Sequence, residues 1–271
     1  MDLHLTGKAV VITGGGTGIG RAIAEEYLKE GARVAICGRR IAPLESFASE
    51  MKEKGFDVYY ESADVSVRES VTGFAEHVEE KFGTIDIWIS NAGIDIRKRF
   101  LDYTDEDFLQ IADVNLKGVF ICTQVAGEVM KRHGGGVIIN ASSWNSILPH
   151  ANNAIYSATK AGVSNFTKST AAALAPFGIR VLGYVPGMIV TDLSRPLIAG
   201  REDAFIKDMA IGRLGSPEDL AGPVVFLSSD RASFLTGINV EIAGGKFAVQ
   251  DCRMAYRMEE EAAAAEAEKE K

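Results

Sequence analysis

Tyr156 and Lys160 stand four residues apart in a stretch of helical pattern, which puts both on one face, one turn apart. A phenol with a pKa near 10 is a poor proton donor or acceptor at neutral pH. A neighbouring ammonium favours the phenolate and brings that pKa toward the working range. The pair therefore suits carbonyl reduction, in which hydride reaches carbon and Tyr156 gives a proton to oxygen. The same spacing also describes a surface pair on an amphipathic helix, so it needs partners. Ser143 lies thirteen residues before Tyr156, just past the β-branched run Val137–Ala141, with Ser142 as a competing hydroxyl. Ligands in open α/β sheets sit outside the carboxyl ends of strands, where such a hydroxyl can hold a substrate oxygen.

A second motif is Thr13-Gly14-Gly15-Gly16-Thr17-Gly18-Ile19-Gly20, which follows an apolar run and leads into a helical pattern. Without side chains, the backbone can approach a pyrophosphate, and a helix N-terminus offers it free N–H groups and a partial positive charge. Strand before and helix after raise this above a bare glycine cluster. The G-x-x-x-G-x-G spacing departs from the common G-x-G-x-x-G.

These residues must be held by the elements around them. Ala9–Thr13, Arg33–Cys37, Asp57–Tyr60, Ile85–Ser90, Val137–Ala141, Arg180–Val185 and Ile238–Ile242 read as strands. Amphipathic stretches such as Ile19–Glu30 and Ser70–Phe82 separate the first six. The alternation predicts an α/β fold, a doubly wound, Rossmann-like parallel sheet of about seven strands with helices on both faces. No linker divides it. One domain over residues 1–248 is expected, followed by an extension over 249–271 whose Ala/Glu-rich end, Glu259–Lys271, has no apolar face and reads as a frayed, solvated tail.

Taken together, Thr13–Gly20, Asp64-Val65, Asn91-Ala92-Gly93, Asn115, Ser143, Tyr156-Ser157-Ala158-Thr159-Lys160 and Pro186-Gly187 resemble the short-chain dehydrogenase/reductase family, from about Leu5 to Phe247. The resemblance implies a catalytic set of Asn115, Ser143, Tyr156 and Lys160, and it favours Ser143 over Ser142. Asn115 would fix a water linking Lys160 to solvent. It implies a nicotinamide dinucleotide held by Gly14, Gly16, Thr17, Gly18, Ile19 and Gly20, with Asp64 on the adenine amine and Val65 beside it. Asn91, Ala92, Gly93, Tyr156, Lys160, Pro186, Gly187, Ile189 and Thr191 would complete that site, the last two on the carboxamide. It also implies a homotetramer built on the long helices from about Asp105 and Ala154.

Relatives that prefer NAD place an acid at the end of the second strand, where this chain has Gly38 followed by Arg39 and Arg40. Guanidinium groups grip a 2′-phosphate, so NADP(H) is favoured over NAD(H). The substrate signals conflict. The Ile94–Phe100 loop resembles that of gluconate dehydrogenases, and its Arg97 could meet a sugar-acid carboxylate. Trp144, Asn145, His150, Asn152 and Asn153 suit a sugar or polyol. Met188, Ile189, Leu193, Pro196, Leu197 and Ile198 instead suit a steroid or acyl chain. Acyl-carrier-protein reductases of the family usually carry Arg where Phe177 stands, which weighs against that branch. A catalytically silent dinucleotide-binding sensor is the alternative from another class, against which the intact set of four residues argues.

Composition closes off other classes. Of 271 residues, 46% are hydrophobic, and the net charge of −8 leaves no basic stripe for nucleic acid. The dispersed cysteines Cys37, Cys122 and Cys252 fit a reducing compartment. No signal peptide or membrane-length apolar run is read, so cytoplasm is expected. The four histidines are scattered and no metal site is expected. No G-x-S-x-G elbow supports Ser143 as a hydrolase nucleophile.

Overall fold

A computed structural model describes residues 2–246 and 248–269; Phe247, where the resemblance ends, and the tail residues Glu270 and Lys271 lie outside the described residues. Seven parallel strands, β1 (Ala9–Thr13), β2 (Arg33–Gly38), β3 (Val58–Ser62), β4 (Ile87–Ser90), β5 (Gly136–Ala141), β6 (Ile179–Pro186) and β7 (Asn239–Ile242), form one sheet in the order β3-β2-β1-β4-β5-β6-β7. The connections run outward in both directions from β1, as the doubly wound reading requires.

The helices are α1 (Gly18–Lys29), α2 (Ile41–Glu53), α3 (Arg68–Phe82), α4 (Asp105–Ala112), α5 (Gly118–Arg132), α6 (Ala154–Leu174), α7 (Arg195–Ile198), α8 (Glu202–Ile206), α9 (Glu218–Ser228) and α10 (Met254–Lys269). Both sheet faces are covered, so β1 is buried at every residue. Val10 and Ile12 pack toward α1, α2 and α9, whereas Val11 packs toward α3 and α5. This alternation is the period of two that a strand imposes. Arg180 of β6 donates to the carbonyls of Leu227, Ser228 and Ser229 at 3.0–3.1 Å, where the end of α9 leaves acceptors unpaired.

A five-residue π turn (Asp113–Lys117) joins α4 to α5 without a break. Between β6 and α9 the chain forms a lid whose Met188, Ile198, Phe205 and Met209 bury against Trp144. The end of the chain differs from the frayed tail expected: Met254 to Lys269 is helical, with no buried residue. Alanine and glutamate propensity makes that helix, and the missing apolar face leaves it unpacked.

Candidate active site

The carboxyl ends of β1, β2, β4, β5 and β6 border a cleft of about 870 Å³, at the point where the strand order reverses. The glycine turn forms its floor. Gly18 has φ +52°, and a Cβ there would meet nothing closer than Thr191 at 3.4 Å, so its open side faces the cleft. Gly20 is different. A Cβ on it would run into the Gly14 carbonyl and the Asn91 amide, so this glycine serves packing inside the protein and does not line the cleft. Thr17, the N-cap of α1, makes no side-chain cap bond and no acid occupies the first turn. The free N–H groups there suit phosphate oxygens.

Gly14, Gly16, Thr17, Gly18, Ile19, Arg39, Arg40, Asp64, Val65, Asn91, Ala92, Gly93, Tyr156, Lys160, Pro186 and Thr191 all line this cleft. Gly187 and Ile189 stand behind its wall: a Cβ on Gly187 would strike Ala243, and Ile189 is buried. Asn91 acts as a cross-brace. Its Nδ2 donates to the Thr13 carbonyl at 3.0 Å, and its Oδ1 accepts from the Tyr184 hydroxyl at 2.9 Å, joining β1, β4 and β6. Asp64 binds the Ser66 hydroxyl and N–H; burial opposes its ionisation, yet these bonds and Arg39 hold its pKa below the usual value.

Of the four residues singled out for proton chemistry, Tyr156 and Lys160 line the cleft, while Ser143 and Asn115 are buried and do not. Ser142 also lines the cleft, but its hydroxyl is engaged by the Lys160 carbonyl at 3.1 Å and the Ser164 hydroxyl at 2.6 Å. Ser143 caps a short turn, accepting from Asn145 N–H at 3.2 Å, and its hydroxyl favours the ionised form of Tyr156. Lys160 donates from Nζ to the Ala141 carbonyl at 2.8 Å and lies 5.8 Å from the Tyr156 ring centre. Asn115, fully buried in the π turn, grips both backbone groups of Ile94 at 2.9 Å. A local bond to its own helix is therefore not what holds it, and π turns recur at functional sites.

The family described as short chain dehydrogenase matches residues 8–202. This chain belongs to that family. It is 36% identical over 246 residues to the 3α-hydroxysteroid dehydrogenase of Mediterraneibacter gnavus, covering 90% of this chain and 98% of that protein. To the L-rhamnose-1-dehydrogenase of Scheffersomyces stipitis it is 38% identical over 250 residues, 90% of this chain and 97% of the relative. The structure of a gluconate 5-dehydrogenase from Burkholderia cenocepacia, in complex with NADP and tartrate, superposes with a TM-score of 0.87. The two are 32% identical, over 92% of this chain and 98% of that one. As a short-chain dehydrogenase, the chain is an oxidoreductase acting on CH–OH groups.

Electrostatics at this short-chain dehydrogenase centre differ from the sequence expectation. Burial, with Asp95 adding to it, pushes the Tyr156 phenol up to about 12, while Ser143 and Arg97 pull the other way. Burial also draws Lys160 down to about 8, with Asp95 opposing. For both groups, removal from water is the largest effect.

Asp95 was not legible as a site residue. Its side chain is 6% exposed, its Oδ2 binds Arg97 Nε at 2.6 Å, and it lines the cleft. Arg97 is thus tied down beside the cleft, and Trp144 lies under the lid. Among the described residues no group of three or more His, Cys, Asp or Glu could hold a metal, and no helix is long and apolar enough to cross a membrane.

Proposed function

We propose that this short-chain dehydrogenase interconverts a secondary alcohol and a carbonyl on a sugar, sugar acid or polyol, with NADP(H) preferred over NAD(H). The observation that carries it is the pairing of Tyr156 and Lys160, 5.8 Å from ring centre to Nζ, where both line the cleft, with Ser143 acting on the Tyr156 phenol. The cleft residues fit a dinucleotide: Gly18 leaves its side of the floor open and α1 offers an uncapped N-terminus. When bound, that group supplies or takes the hydride. Ser143 holds the substrate oxygen, and Tyr156 donates the proton in reduction and accepts it in oxidation. Lys160 would hold the ribose and lend positive charge, and Asn115 braces the backbone at Ile94. Asp64, Val65, Ile189 and Thr191 would hold the adenine and carboxamide ends.

The NADP preference rests on Arg39 and Arg40. Both are exposed, line the cleft and make no ion pair among the described residues, so they are free for a 2′-phosphate. The apolar lid, which would suit a steroid or acyl thioester, largely buries itself on Trp144. A relative holding tartrate, a hydroxylated dicarboxylate, speaks for the polar choice. We also read residues 1–248 as the catalytic domain and 249–271 as an appendage. Exposed Phe108, Leu109 and Phe120 on α4 and α5 fit a homotetramer interface, and the buried free thiols Cys37 and Cys122 fit the cytoplasm.

Absorbance of NADPH, followed over a panel of aldonates, alditols, aldoses, hydroxysteroids and acetoacetyl thioesters, tests this reading. Turnover of the polar alcohols is expected. Tight NADPH binding with no turnover of any member would make the protein a sensor instead.

A further inference from the structure

Beyond the cleft, one cation occupies an unusual place. Lys246 follows the Gly244-Gly245 turn after β7, and its side chain is only 7% exposed. Its Nζ lies 4.8 Å above the Trp144 ring, and Trp144 is the residue next to Ser143. Its one ion-pair partner among the described residues is Asp208 at 3.1 Å, a lid carboxylate that is 50% exposed. A buried ammonium is costly unless it is paired, and a half-solvated carboxylate on a surface lid is a replaceable partner.

The surroundings carry the same sign. His150 meets Trp144 at nearly a right angle, ring centres 5.3 Å apart. Burial lowers its pKa, and the charges of Arg97, Lys246 and Arg201 lower it further. Arg97 in the loop after β4, Arg201 in the lid and Lys246 in the turn after β7 thus all disfavour the protonated imidazole. Arg97 has its Nε engaged by Asp95, and Arg201 lies against Phe205. Beside them, Asp95 Oδ1 and Asn145 Oδ1 are buried acceptors with no donor among the described residues. Such atoms call for a donor, from water or from a ligand.

We propose that Lys246 is the anion-recognising residue of the substrate site, and that the substrate is a hydroxylated carboxylic acid whose carboxylate displaces Asp208 from Lys246. The inference rests on the dehydrogenase reading above and narrows it. The acid end is anchored over Trp144, and the alcohol to be oxidised is held at Ser143 and Tyr156. Hydroxyls along the chain supply the donors that Asp95 and Asn145 lack.

The test is a ratio measured on the full chain with NADP⁺. Straight-chain aldonates are compared with neutral alditols of the same carbon skeleton, and kcat/KM is taken for each. Wild type should favour the acid. Lys246→Met keeps the stem on Trp144 and removes only the charge. It should lower the acid-to-alditol ratio by about 10-fold or more, the scale of one charge-assisted bond, with alditol kcat/KM within about threefold of wild type. NADPH affinity, read by fluorescence, should stay the same, and Lys246→Arg should restore most of the ratio. An equal loss on acid and alditol would make Lys246 a strut between lid and β7 and overturn the proposal. A wild-type ratio near one would do the same. No turnover of any alcohol by wild type would instead overturn the dehydrogenase reading on which the proposal stands.

Discussion

The two ends of the cleft are built on different principles. At the dinucleotide end the contacts are mostly backbone: a glycine turn, an uncapped helix start and a cross-bracing asparagine whose amide is used inside the protein. At the end proposed for substrate the parts come from four separate loops, and Asp95 Oδ1 and Asn145 Oδ1 find no partner among the described residues. A generic ligand can be held by backbone geometry that many sequences provide. A particular substrate needs side chains, and these carry desolvation costs that only the right ligand relieves.

The largest test of this contrast is Tyr156→Phe. It removes one oxygen at the junction of the two ends, so kcat should fall by about 10²–10⁴-fold, while NADPH affinity measured by fluorescence stays close to wild type. Wild-type turnover would break the assignment of the proton.

Lys160→Met probes the cost of a charge buried at that junction. The pKa of Lys160 is about 8 in the folded protein against the ordinary 10.5. Between those values the unfolded chain binds more protons, so this group makes stability rise with pH. Below pH 8 it imposes a penalty on the order of 3 kcal/mol, because each tenfold loss of proton affinity on folding costs about 1.4 kcal/mol. The stability of the methionine variant relative to wild type, from urea unfolding, should decline by about that amount from pH 8 to 10.5. A constant difference would mean that Lys160 is not depressed.

Arg39→Ala sharpens the dinucleotide end. It should weaken NADPH by about 1.5–3 kcal/mol, the scale of a hydrogen bond to a charged group, and leave NADH little changed in the same titration. Equal losses would make Arg39 structural. The smallest effect is expected from truncation after Met258. No residue of α10 is buried, so the midpoint of urea unfolding should correspond to a change within about 0.5 kcal/mol.

The same contrast explains what the sequence could tell. β1 was legible to the residue, because a strand buried on both faces writes an unbroken apolar run. β3 runs to Ser62, beyond the expected Tyr60, since an edge strand ends in polar residues that carry no apolar signal. Tyr156, Lys160 and Ser143 were legible because their spacings lie within one helix and one adjoining loop. Asp95 and Lys246 were not. Their meaning arises only when loops after β4, β5 and β7 meet, and nothing local distinguishes them from solvated polar residues. The glycines were legible as a group but not by task, since only the fold separates Gly18, open to the cleft, from Gly20, wedged against Gly14.

The π turn at Asp113–Lys117 reaches beyond the side chain it presents. There the Gly118 N–H bonds the Asp113 carbonyl, five residues back, so the rod from Asp105 to Arg132 holds one residue more than a regular helix of its length. That extra residue resets the phase of everything after it. In an uninterrupted helix Phe108 and Phe120 would point about 120° apart around the axis; with one residue absorbed they fall about 20° apart. Both are exposed, so a single insertion swings Asn115 inward to Ile94 and lines up two aromatic rings on the outer surface. Deleting one residue from the turn would restore the helical ladder and rotate the inner and outer faces out of place together.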